Sequence, residues 1–91
     1  MLSAMEAREY LGKTVRVHYE DGKVYYGLLE IVDIRMAYWT VRNPAGSKSE
    51  GTLHSFTGRL ARTQRIEEAN APRSGDVVPS RDLGETDVER T

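Results

Sequence analysis

The sequence contains no cysteine, so no disulfide or thiolate metal site supports the fold, and nothing ties the chain to an oxidising compartment. Histidine is scarce as well, with His18 and His54 the only two. A zinc centre needs a third or fourth ligand and a nucleophilic triad needs an orienting group, so two histidines without cysteine make neither. The phosphate-cradling glycine loop, the dinucleotide fingerprint and the zincin helix are all missing. Glu20-Asp21 falls at a turn and Glu67-Glu68 at the end of a strand pattern, where solvated charge is the ordinary role. These gaps point away from an enzyme and from any cofactor or metal. No apolar run approaches the roughly 20 residues that cross a bilayer, and the first residues lack the basic-then-apolar order of a signal peptide. The expectation is a soluble, cytoplasmic protein with no membrane partner.

What remains is a chain of 91 residues and 10.3 kDa, enough for one small domain that would gain from oligomerising. Its net charge of −1 hides a division. Residues 1–66 hold ten Lys/Arg against seven Asp/Glu, and residues 67–91 hold three against seven. A mildly basic body therefore carries an acidic tail. Such a small surplus is weak support for a nucleic-acid partner, although copies in a ring would multiply it on one face.

Along the chain, Ser3 and Glu6 have the spacing of a capping box, and Gly12 would end a helix of about two turns. Met5, Tyr10 and Leu11 are its expected contacts. Val15, Val17 and Tyr19 alternate with Arg16 and His18, the period of a half-buried strand. Asp21-Gly22 then reads as a hairpin turn. A second strand spans about residues 24–32, with Val24, Tyr26 and Leu28 on one face and Tyr25, Gly27, Leu29 and Ile31 on the other. Gly27 gives up a side chain inside this strand, which fits a sharp bend or the close approach of a neighbour. A third strand is expected over about residues 35–42 and a loop over "NPAGSKSEG". "TLHSF" reads as a short fourth strand and "TGRLARTQRIE" as the last. The fold class is thus mostly β: a short helix and a strongly bent five-stranded antiparallel sheet, closing partly or fully into a small barrel. Residues 1–69 form this domain. Residues 70–91 are an acidic tail containing proline and glycine, either flexible or docked on a neighbouring subunit.

Tyr25-Tyr26 and Tyr38-Trp39 are adjacent in strands and face opposite ways, so burying both members of a pair needs cover on two sides. A second subunit or the helix would supply it. Arg35 follows Asp33 in the link between two strands, where it can pair with Asp33 or a neighbouring subunit, or reach a nucleic acid.

The motif "EDGKVYYGLLEIVDIRMA" resembles the first motif of the Sm and Sm-like family, with Gly22, Gly27, Leu29, Asp33 and Met36 at matching spacing. The resemblance implies a small Sm-like barrel, similar to an SH3 barrel, in a divergent bacterial or phage-like member. It further implies a homo-oligomeric ring of five to seven subunits that binds single-stranded RNA. Ala37 stands where the family has the asparagine that reads a uracil edge, and alanine cannot make that contact. Arg35 occupies the position that stacks on the base. In the second motif Thr57 precedes Gly58 and Arg59 follows it, where the family has Arg-Gly. The RNA-contacting set that the resemblance implies is therefore Arg35, Ala37 and Arg59, with weak binding or altered base preference, and Gly58 joins the structural motif. The alternative is a ring-forming scaffold or adaptor that has lost RNA and recruits a protein through the acidic tail.

Overall fold

A computed structural model describes residues 2–43 and 55–79. His54, the loop after Asn43 and residues 80–91 lie outside the described residues. Helix α1 spans Ala4–Arg8; strands β1, β2 and β3 span Thr14–Tyr19, Val24–Asp33 and Tyr38–Arg42. Strands β4 and β5 span Ser55–Arg59 and Thr63–Glu68, joined by the 3-10 turn η1, Leu60–Arg62. All strand pairs are antiparallel, in the order β4-β3-β2-β1-β5.

Several local features follow directly from sequence. Ser3 caps α1 in a reciprocal capping box with Glu6, meeting two amide donors that a helix start leaves unpaired. Gly22 takes φ 93° in the β1–β2 turn, a conformation that glycine adopts without a Cβ clash. Asp21 Oδ1 accepts the Lys23 N–H at 2.8 Å and tightens the same turn. Gly27 serves close approach: a Cβ there would lie 2.6 Å from the Arg42 carbonyl oxygen.

The core lies on one face of the sheet. Val15, Val17, Leu29, Trp39, Val41 and Ile66 line it, and Leu2 ahead of α1, Ala7 in α1 and Leu60 in η1 close over it. Tyr19, Tyr25, Trp39 and Phe56 form a continuous edge-to-face and tilted cluster with centroids 5.3–6.0 Å apart, the geometry that ring quadrupoles favour. The Trp39 indole N–H donates to Thr63 Oγ1 at 2.7 Å, and that hydroxyl donates to the Arg59 carbonyl at 2.7 Å. The one polar atom of the largest core side chain is thereby satisfied.

The expected barrel is corrected by this topology. β4 and β5 are the two edges of an open sheet, they do not pair with each other, and the sheet is not strongly curled. α1 and η1 supply the lid over the apolar face that closure of the sheet would otherwise provide. The strand limits also move. The third strand starts at Tyr38, because residues 34–37 form a turn, and η1 interrupts the segment expected as one long final strand.

Among the described residues side-chain alternation breaks at two places: in β5, where His18 pairs with Arg65 and Tyr19 with Thr63 so that Gln64 is extra, and in β2. Leu29 pairs with Val41 and Ile31 with Thr40, leaving Glu30 as an extra residue. Such a bulge exchanges the faces of everything after it. Leu29 is therefore fully buried and Val32 packs on the core, while Ile31 is 41 % exposed. The helix contacts differ too: Leu2 and Ala7 are buried, and Met5 is 76 % exposed.

Past Ala69 the chain turns back over its own sheet. Val77 bridges Tyr25 in parallel, and Pro79 is fully buried. Arg16, on the outer face of β1, is buried beneath this segment. Tyr26, cross-strand neighbour of Arg16, is 4 % exposed. Cover for Tyr26 therefore comes from the same chain, while Tyr25 points into the aromatic cluster. Neither tyrosine calls for a second subunit.

Candidate functional site

The turn after β2 is shaped by Asp33, whose Oδ1 accepts the Met36 N–H at 2.8 Å. One carboxylate oxygen thus braces the backbone, and Arg35 makes no ion pair with Asp33 or with any other described residue. Ile34, Arg35, Met36 and Ala37 are all exposed, Met36 at 70 %. Ala37 has φ 60°, a left-handed conformation that costs a non-glycine residue free energy. Its carbonyl accepts the Leu60 N–H at 3.0 Å, which ties the turn to η1.

Beside this turn lies an open groove of about 430 Å³ lined by Tyr19, Met36, Tyr38, Thr57, Gly58 and Arg59. Pairing of β3 with β4 creates it, setting Tyr38 opposite Arg59. Arg59 is pinned through its backbone, donating its N–H to the Tyr19 hydroxyl at 3.0 Å. Its side chain is exposed and forms no ion pair among the described residues. Tyr19 is held in the aromatic cluster, whereas Tyr38 is half-buried and has no ring partner among the described residues.

The structure thus places Arg35 and Ala37 in one turn and Arg59 in the groove that Met36 lines. Of the structural-motif residues, Gly22 makes the hairpin turn, Leu29 fills the core and Asp33 closes the turn. Met36 projects to the surface. Gly58 leaves room for Trp39, because a Cβ there would overlap the indole ring. Tyr38, Tyr19 and Thr57 complete the lining of that groove. Alternation places Tyr38 off the core, but only the β3–β4 register brings it beside Arg59.

A second polar cluster occupies the outer face of β1 and β5. Glu67 lies 3.1 Å from His18 Nε2 and 3.0 Å from Arg65 Nη1. Hydrogen bonds from these two side chains, His18 first, hold its carboxyl below the usual carboxylate range. Arg16 donates from Nε to Asp76 Oδ2 at 3.0 Å and from Nη2 to the Ala71 carbonyl at 2.6 Å. On the inner face, burial raises the Tyr25 phenol above its ordinary value, with Asp21 and Tyr19 adding to the effect.

Among the described residues, no group of three or more His, Asp or Glu side chains could hold a metal ion, and no helix is long and apolar enough to cross a membrane. Comparison with protein-family models, curated proteins and solved structures finds no match to the chain.

Proposed function

We propose that this protein is a non-catalytic, cytoplasmic module that binds single-stranded RNA along the turn at residues 34–37 and the adjoining groove. The observation that carries this reading is the convergence of Tyr38 and Arg59 in a groove bordered by the turn that bears Arg35, the ring without a ring partner and both arginines without an ion pair among the described residues. An exposed arginine without a carboxylate partner is free to meet phosphate or stack on a base, and a tyrosine face accepts any base. Ala37 offers no side-chain donor or acceptor, so contacts would come from charge and stacking and base preference would be weak. Copies would associate through the unpaired edges of β4 and β5, since an assembly closed on itself leaves neither edge free to aggregate.

Fluorescence anisotropy with short labelled U-rich and A-rich RNAs over a salt series tests the RNA reading, with oligomer mass measured in parallel. Binding should weaken with salt, and the Arg35→Ala, Arg59→Ala double variant should lose about tenfold or more in affinity and lower the salt slope by about 2. Absence of binding at low salt removes the RNA reading. A mass that stays monomeric at all concentrations removes the edge association.

A further inference from the structure

β3 ends at Arg42, opposite Leu28, so the first residues of β2 have β1 on one side and no named strand on the other. In an antiparallel ladder, alternate residues turn their N–H and C=O groups away from the partner strand. Here those groups belong to Val24 and Tyr26, and Val77 takes both. The Tyr26 N–H donates to the Val77 carbonyl at 2.9 Å and the Val77 N–H donates to the Val24 carbonyl at 2.8 Å.

Recognition continues on the outer face, where the Arg16 guanidinium grips the same segment twice, through the Asp76 carboxylate and the Ala71 carbonyl. The Arg16 and Asp76 side chains are only 8 % and 6 % exposed. Asp76 is also shaped by its own turn: the Arg73 N–H donates to its Oδ2 at 2.7 Å, and its N–H donates to the Arg73 carbonyl at 2.9 Å. Gly75 supplies the positive φ of 96° which that turn uses. Edge pairing for affinity and side-chain contacts for specificity are how sheets bind extended peptides. In this case the peptide is attached.

We propose that the outer face of β1 and the open edge of β2 form a peptide-binding site, occupied here by the chain's own residues 71–79, whose partner is an extended segment with a carboxylate immediately before an apolar strand residue. The main-chain donor and acceptor at Tyr26 and Val24 match a peptide backbone. Glu67, 4.0 Å from Arg16, would repel a phosphate, so nucleic acid fits this face poorly. Attachment gives the strap an effective concentration of order millimolar, so it excludes weak competitors. It pairs through a single residue, however, and a segment extending along more of the edge would gain backbone bonds that the strap does not make.

The test uses the full chain and a fluorescent peptide of sequence APRSGDVVP. Asp76→Ala and Val77→Pro weaken the strap while leaving Arg16 and β2 unaltered. Each variant should bind the peptide at least tenfold tighter than the unaltered chain, and a peptide with Asp changed to Asn should lose that gain. Failure of both variants to take up peptide, with circular dichroism unchanged, overturns the proposal, as does uptake indifferent to the Asp→Asn change. An unaltered chain whose mass doubles with concentration, without peptide uptake, assigns the face to strap exchange between copies and also overturns the external partner.

Discussion

On the inner face of β1, Val15 and Val17 are closed off by other apolar residues; on the outer face of the same strand, Arg16 and His18 are closed off by charges. The inner cover comes from α1, η1 and the neighbouring strands, with the aromatic cluster at its centre. The outer cover is one strand partner, Glu67, and a strap returning from the end of β5. Burying apolar surface is favourable at about 25 cal/mol per Å² and needs no exact geometry. Burying an ion pair gains little net, yet removing one partner strands a desolvated charge. The inner face should therefore carry the stability, and the outer face should control which surface is open.

That division can be broken in order of size. Trp39→Ala empties the largest buried side chain and removes the indole donor to Thr63 Oγ1, so chemical denaturation should show a loss of about 3–5 kcal/mol. Gly58→Ala attacks the same ring by overpacking and should cost about 1–3 kcal/mol. A smaller effect comes from pH. Because the Glu67 carboxyl is held below its ordinary value, its contribution is complete above about pH 4.5, the unperturbed carboxylate value, and is lost as pH falls through the lowered value. Denaturation midpoints should therefore decline with acid over that window, and Glu67→Gln should flatten the decline. An unchanged slope in that variant would mean that the Glu67 carboxylate contributes nothing to folding.

The inner face was largely legible in the sequence, because alternation at Val15, Val17 and Leu29 and the Asp21-Gly22 turn are local signals. The capping box at Ser3 and Glu6 was legible for the same reason. Alternation failed after Glu30, since a bulge depends on how β2 and β3 pair and leaves no fixed mark in composition. Gly58 could be assigned to a motif, but its physical role requires knowing that the Trp39 ring lies against it. The open sheet was misread because the lids over the core, Leu2, Ala7 and Leu60, come from short segments whose placement no periodicity reveals. Arg16 looked like an ordinary outward strand charge, and its partner Asp76 is 60 residues away. In the candidate groove, Arg35 and Arg59 were visible as charges. That neither has an ion-pair partner among the described residues depends on tertiary placement, which no local pattern encodes.

Hydrogen exchange on the full chain with and without Asp76→Ala tests the separation of the two faces most directly. The Tyr26 amide reports the strap through Val77, and the Leu29 amide, bonded to the Lys13 carbonyl at 2.9 Å, reports the body of the domain. With a strap that lifts independently of the sheet, the variant should lose protection at Tyr26 and Val77 and keep it at Leu29. Protection that persists at Tyr26, or that falls equally at all three amides, would contradict a strap that closes the outer face independently of the core.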